Sequence, residues 1–153
     1  MPPWVRCGDG SITAMFSWKR PGNLGVRNAR LAPCRRTPNC VSSQADPADA
    51  EHYIAPIPFK GDAMAAVLRA VQRMPRSTVV NQDRNYLYAE FRTRLMRYVD
   101  DVEFFHDDKA GVIHMRSASR LGRRDFGVNR KRMEELRSLL SASAARPPRG
   151  GVP

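Results

Sequence analysis

Apolar residues recur at helical spacing in two segments of the chain. The first helix is predicted over residues 62–74, where Asp62 or Gly61 can cap the start and Pro75 ends the pattern. Its apolar face consists of Met64, Val67, Leu68 and Val71. A second helix is predicted from an N-cap at Asn129 to about residue 145, with an apolar stripe formed by Met133, Leu136 and Leu140.

Between the helices, apolar and polar residues alternate with a period of two. This pattern predicts four strands, over 77–82, 85–93, 96–106 and 111–119, and the short polar turns between them favour an antiparallel meander. A short strand over 52–58 precedes the first helix. We therefore predict an α+β fold in which both helices pack on one face of an antiparallel sheet of four to five strands, leaving the other face open.

Length and composition favour one domain. A chain of 153 residues with 42% hydrophobic content can bury one ordinary core, which we place at residues 21–145. Residues 21–51 are rich in Pro, Gly, Asn and Ser and are predicted to form an ordered arm or loop. Residues 1–20 are predicted to be a flexible extension, and 146–153 a disordered tail.

A turn over residues 107–110 predicts the register of the last two strands, with His106 opposite Gly111. Counting back places Val102 opposite Met115 and Phe104 opposite Ile113 on the apolar face, and Asp101 opposite Arg116 and Glu103 opposite His114 on the polar face. Carboxylates and imidazole can hold a metal or perform acid–base work. The same groups can form a solvated face of cross-strand ion pairs, each worth about 0.2 to 1 kcal/mol, and we favour this interpretation.

Opposite charges are concentrated in two segments. Residues 98–108 carry five carboxylates and no Lys or Arg, whereas residues 116–137 hold 8 basic residues against 3 acidic ones. The two segments can pair with each other. Alternatively, the connection into the second helix holds an anion at the helix N-terminus through Ser117, Ser119, Arg120 and Asn129. A structural connection, with Gly127 supplying an unusual backbone angle, is the favoured interpretation.

The net charge of +11 suggests nucleic-acid binding, but 22 of the 26 basic residues are Arg, a bias that a GC-rich genome also produces. Nucleic-acid partners are therefore not expected. No apolar stretch is long enough to cross a membrane and no secretory pattern is visible, so a soluble cytoplasmic protein is predicted. Cys34 and Cys40 flank a turn-prone segment and can form a disulfide, although they would stay thiols in a reducing cytoplasm.

Several blocks, in order along residues 20–137, carry a family resemblance: RPGNLGVRNARLAPCRRTPNCVSSQA, HYIAPIPF, VDDVEFF and RSASRLGRRDFGVNRKR. Together they resemble the bacterial and plastid family known as domain of unknown function 1499. The resemblance implies no established activity. It singles out the cysteine pair, the acidic positions Asp100, Asp101 and Glu103, and the motif of 116–120 with Asp125, Gly127, Asn129 and Arg130. The chain departs from the family at Ala29, where members often have Gly, and at Arg35, where they often have Pro.

The leading hypothesis is a non-enzymatic binding or structural module that engages a small anion or a protein partner through a polar surface. That surface comprises Asp101, Glu103, Arg116 and the connection 117–130. The first alternative is a metal-assisted or acid–base enzyme that uses Asp101, Glu103 and His114, and the second is a non-specific nucleic-acid binder. The leading hypothesis involves no cofactor, and no bound metal is predicted.

Overall fold

A computed structural model describes residues 19–144 and shows two helices packed on one face of a six-stranded antiparallel sheet. The elements are β1 (Cys40–Ser42), β2 (Ile57–Pro58), α1 (Ala63–Arg73), β3 (Ser77–Gln82), β4 (Tyr86–Arg92), β5 (Val99–Asp107), β6 (Val112–Ser119) and α2 (Val128–Ala144). The predicted α+β class, the meander and the shared helix face are confirmed. No helix in this part of the chain is long and apolar enough to cross a bilayer.

The sheet has six strands rather than the predicted four to five because β1 was not predicted; β1 and β2 both pair with the outer edge of β6. β1 pairs with residues 116–118, and β2 pairs with Val112 and Ile113. The strand predicted over 52–58 is present but covers only Ile57–Pro58. The meander itself runs in the order β6-β5-β4-β3, as the alternation predicted.

The main core lies between the helices and the sheet. In α1, Met64, Val67 and Val71 are buried, and the Asp62 carboxylate caps the helix by accepting a hydrogen bond of 3.1 Å from the Ala65 amide. Alternate residues of β4 to β6, together with Met133, Leu136 and Leu140 of α2, complete this core. Each fully buried large apolar side chain contributes about 1.5–3 kcal/mol.

The predicted register of β5 and β6 is wrong by two residues, because Glu103 lies opposite Arg116 and Phe104 opposite Met115. An even shift leaves each side chain on its predicted face. The shift arises at the turn, where Asp107 belongs to β5 and its carboxylate accepts from the amides of residues 109 and 110 at 3.0 and 3.1 Å. Gly111 closes the turn with a φ of 66°, a conformation that few other residues adopt readily.

The second face of the sheet, which was expected to be open, is covered by the arm. Leu31 of the arm packs with Tyr86, Tyr88 and Phe105, and half-buried Leu24, Val26 and Val80 border this second apolar cluster. The expectation of an open face is wrong because the arm carries its own apolar residues. The predicted extension 1–20, except for residues 19 and 20, and the predicted tail 146–153 lie outside the described residues.

The start of α2 also differs from the prediction. Asn129 is the second residue of the helix rather than its N-cap, and the side chain of Asp125, three residues before the helix, takes the capping role. The Asp125 carboxylate accepts from the backbone amides of Gly127 and Asn129 at 2.9 and 3.0 Å. Gly127 has a φ of 78°, the unusual backbone angle predicted for it. The Asn129 side chain is thereby freed to point into the protein.

Candidate functional site

Four charged residues of β4, β5 and β6 on the face that the arm covers are buried. Glu103 is 0% exposed, Asp101 2% and Arg116 6%, and Glu90 is buried beside them. The interpretation of this surface as a solvated face is therefore wrong, although its side chains do form ion pairs. Charges buried to this degree must be paired and hydrogen-bonded to be tolerated.

Glu103 lies under the arm with both carboxylate oxygens engaged. Its Oε2 is 3.1 Å from Nη1 of Arg116, and its Oε1 accepts from the Tyr86 hydroxyl at 2.9 Å and from the Gly25 amide at 2.8 Å. Burial raises the pKa of Tyr86 above its usual value, and the negative charge of Glu103 raises it further. Tyr86 therefore remains a hydrogen-bond donor, and Glu103 helps to tie the arm to the sheet through the Gly25 amide.

A second buried network surrounds Arg120. Its guanidinium donates to both Asp101 oxygens, at 2.9 and 2.7 Å, and to Oε1 of Glu90 at 2.7 Å. Tyr88 donates to Asp101 at 2.6 Å, and Arg20, directly before the arm, donates to Glu90 at 2.7 Å. Burial acts to raise the pKa of Glu90, but hydrogen bonds from Arg20, Arg120 and Tyr88 outweigh it and lower the pKa to about 2.

On the helix side of the sheet, Asp100 forms a third buried pair, with Nη2 of Arg132 at 2.6 Å. The Arg132 guanidinium also lies over the Phe91 ring, 4.9 Å from its centre. Arg116, Arg120 and Arg132 therefore each pair with a carboxylate of β5, the strand that contains Asp100, Asp101 and Glu103. The structure thus brings together the oppositely charged segments, as one of the alternatives predicted.

Asn129 is fully buried and joins the end of β6 to α2. Its Oδ1 accepts from the Ser117 hydroxyl and from Arg132, the latter at 2.9 Å. Its Nδ2 lies within hydrogen-bond distance of the Ser119 hydroxyl, the Asp125 carboxylate and the Asn39 carbonyl, at 2.8, 2.7 and 3.1 Å. These contacts use the amide internally, which favours the structural interpretation of this connection over anion binding at the helix N-terminus.

The remaining predicted residues lie apart. His114 is 3.2 Å from the Ser43 hydroxyl and stacks on Phe105, and burial lowers its pKa. Arg130 donates to three backbone carbonyls, of residues 50, 51 and 53. His114 therefore does not join Asp101 and Glu103. Within residues 19–144, no three His, Cys, Asp or Glu side chains are grouped closely enough to hold a metal ion.

His52 anchors the loop that contains the two cysteines. Its ring nitrogens lie 2.7 Å from the Asp49 carboxylate and 3.1 Å from the Thr37 carbonyl, so each nitrogen faces an acceptor. Burial acts to lower the pKa of His52, but these two hydrogen bonds outweigh it and raise the pKa. A disulfide joins Cys34 to Cys40, with Cα atoms 5.6 Å apart, and closes the same loop.

Between this loop, the arm and β6 lies a cavity of about 740 Å³, which we call the arm cavity. The cationic residues that line it are Lys19, Arg20, Arg35, Arg116, Arg120 and Arg123. Asp101 is the one carboxylate among its described lining residues. The Nε of Arg116 is buried and has no hydrogen-bond acceptor in the part of the chain that the structure describes.

A family model described as a protein of unknown function, DUF1499, matches residues 30–140, which is most of the chain. The chain belongs to the DUF1499 family. The resemblance noted in the sequence is therefore confirmed. No curated protein matches the chain.

In this DUF1499 domain, the sequence indicated the acidic positions of β5 and the basic residues Arg116 and Arg120, but it placed Arg116 opposite Asp101 rather than Glu103. It also missed the cations supplied by the arm and by the two residues before it. Lys19, Arg20 and Arg35 reach the arm cavity from a segment without periodicity. Arg20 contacts Glu90 across a separation of 70 residues. The sequence signal available was the basic composition of the arm, which does not show which strands it covers.

Proposed function

We propose that this DUF1499 domain is a non-enzymatic binding module that holds a small oxyanion in the arm cavity. The observation that carries the proposal is the buried Nε of Arg116, which lacks an acceptor although Nη1 of the same guanidinium is paired with Glu103. A buried charged donor without an acceptor loses its hydration and gains nothing in return. Because Nε itself is buried, an oxygen of an anion in the arm cavity would supply that acceptor once the side chains that cover Nε shift.

The charge balance of the arm cavity supports an anionic ligand. Six cationic side chains line it, against Asp101 at its wall and Glu90 and Glu103 beside it. Lys19, Arg35 and Arg123 form no ion pair with any described residue. The planar guanidinium fork matches the geometry of phosphate and carboxylate oxygens, so such groups are the expected ligands.

The arrangement favours binding over acid–base catalysis. The enzymatic alternative required Asp101, Glu103 and His114 to act together, whereas each of these side chains has different partners. Asp101 is held by Arg120 and Tyr88, and Glu103 by Arg116. Carboxylates that are fully engaged with cations are poorly suited to exchanging protons with a substrate.

The proposal is tested by measuring the urea stability of the protein against inorganic phosphate at constant ionic strength. A ligand bound only by the folded state raises the free energy of unfolding by RT ln(1 + [L]/Kd), about 2.7 kcal/mol at one hundred times Kd. Arg116→Lys keeps the charge but removes the Nε donor, and we expect it to weaken phosphate binding about tenfold or more. Arg69→Lys, on the exposed side of α1, is the matched control and should bind as the unchanged protein does.

Phosphate stabilisation that chloride reproduces, or that Arg116→Lys leaves unchanged, would contradict the proposal. Sulfate should compete with phosphate, since it offers the same arrangement of oxygens.

The Cys34–Cys40 disulfide favours a compartment less reducing than the predicted cytoplasm. We propose such a location, and alkylation of thiols in intact cells tests it. Because Cys40 is buried, alkylation is completed in denaturant; protection of both cysteines is then expected, whereas full alkylation would indicate the cytoplasm.

A further inference from the structure

One end of the sheet gathers three loops, and we call it the basic end. It consists of the α1–β3 connection (residues 74–76) with Arg73, the β4–β5 loop (93–98) with Arg92, and the β6–α2 connection (120–127) with Val128. The pairing places them together, because Ser77 lies opposite Phe91 and Asp100 opposite Ser119. The Arg120 amide also donates to the Val99 carbonyl at 3.2 Å.

All the large hydrophobic side chains that stand exposed on the described chain lie at this end. Leu95 is 91% exposed, Met96 62%, Phe126 95% and Val128 43%. Leu95 and Met96 are in the β4–β5 loop, whereas Phe126 is in the β6–α2 connection. They project from the β4–β5 loop and from the β6–α2 connection as single side chains with most of their surface exposed.

The same end is strongly basic. Its exposed cations are Arg73, Arg76, Arg92, Arg94, Arg97, Arg123 and Arg124. None of the seven forms an ion pair with another residue of the described chain. The one acidic side chain here is Asp125, whose oxygens are occupied in capping α2. The excess positive charge therefore faces outward.

Phe126 is held outward against its backbone preference. It has a φ of 53°, in the left-handed region that bulky residues rarely adopt. The hydrogen bonds of Asp125 on one side and the left-handed Gly127 on the other keep the turn in place. An exposed aromatic side chain buries no apolar area on folding. Residues with a strained backbone of this kind are concentrated at functional surfaces.

We propose that the basic end docks on an anionic lipid bilayer, with Leu95, Met96 and Phe126 entering the headgroup region and the surrounding arginines contacting lipid phosphates. Interfacial binding combines buried apolar area with attraction between basic residues and anionic lipids. A fluid bilayer accepts single apolar side chains on separate loops without a preformed groove. Nucleic acid would use the arginines but would leave the apolar tips without a role.

The test is co-sedimentation of the full chain with vesicles of phosphatidylcholine alone or mixed with phosphatidylglycerol. We expect binding to the anionic vesicles only. Phe126→Ser should lower the partition coefficient about tenfold, since it removes one large apolar side chain from the interface. The pair Arg94→Gln and Arg97→Gln should lower it by about tenfold or more. The charge-matched control is Arg84→Gln with Lys109→Gln, both exposed at the opposite end of the sheet, and it should bind normally.

Absence of binding to anionic vesicles would overturn the proposal. Binding that Phe126→Ser leaves unchanged would also overturn it, because the association would then be purely electrostatic, as it would be for nucleic acid. Arg116→Lys should dock like the unchanged protein, so loss of phosphate binding in the arm cavity and loss of docking can be told apart.

Discussion

Replacing Glu103 by Gln should cost far more stability than a change of one charge on the surface. The amide has the same shape, and its oxygen can still accept from Tyr86 and the Gly25 amide. Its NH₂ group, however, would face Nη1 of Arg116, which lies 3.1 Å from Oε2 in the native pair. Because Glu103 is 0% exposed, Arg116 would remain buried without its counter-charge. Removing one partner of a buried ion pair costs about 3–5 kcal/mol.

The assay is urea unfolding, with the midpoints compared at a constant m value. The control is Glu134→Gln, which breaks the Glu134–Arg137 pair on α2, whose carboxylate side chain is 50% exposed. Exposed helix pairs contribute about 0.3–0.5 kcal/mol. If Glu103→Gln and Glu134→Gln lowered the free energy of unfolding equally, the burial of the Glu103–Arg116 pair would be refuted. The double variant Glu103→Leu with Arg116→Met removes both charges and should be more stable than Glu103→Gln.

Four further outcomes are expected. The pKa of His52 is raised above the usual 6.5, so its contribution to the free energy of unfolding is complete below pH 6.5 and is lost as the pH rises through the folded-state pKa. The difference in stability between the unchanged protein and His52→Gln, measured by urea unfolding, should therefore shrink over that range. Asn129→Ala should cost about 2–5 kcal/mol in the same assay, because it leaves several buried polar groups unpaired, and a loss below 1 kcal/mol would contradict the contacts described. Replacing both Cys34 and Cys40 by Ser should lower the unfolding free energy by about 2 kcal/mol, from the entropy of a short closed loop. Ala29→Gly should raise the melting temperature, since Ala29 has a φ of 57° and a left-handed non-glycine residue costs about 1–2 kcal/mol.

Local periodicity predicted the elements of the fold well where a pattern was long enough to repeat. The bounds of β3 match the prediction, and the apolar stripe of α2 forms part of the core as expected. β1 was missed because three residues carry no measurable period, and its pairing with β6 is decided by tertiary contacts. The register error arose because the turn depends on Asp107 and on the positive φ of Gly111.

Local patterns likewise predicted only part of the candidate site. Opposite charges on neighbouring strands indicated that Asp101, Glu103 and Arg116 share a face. That this face is buried depends on the arm, whose Gly25 amide reaches Glu103 from 78 residues away. A local pattern contains no information about such a contact. Asn129 was placed in the correct connection but given the wrong role, because capping by Asp125 leaves its side chain free to join β6 to α2.

The most direct test of anion binding in the arm cavity is nuclear magnetic resonance of the arginine Nε–Hε groups, with the Arg116 signal assigned by its loss in Arg116→Lys. On titration with inorganic phosphate at constant ionic strength, we expect this signal to shift and saturate, because its proton acquires an acceptor. An Arg116 signal that stays unmoved while phosphate reaches high concentration would contradict the proposed function.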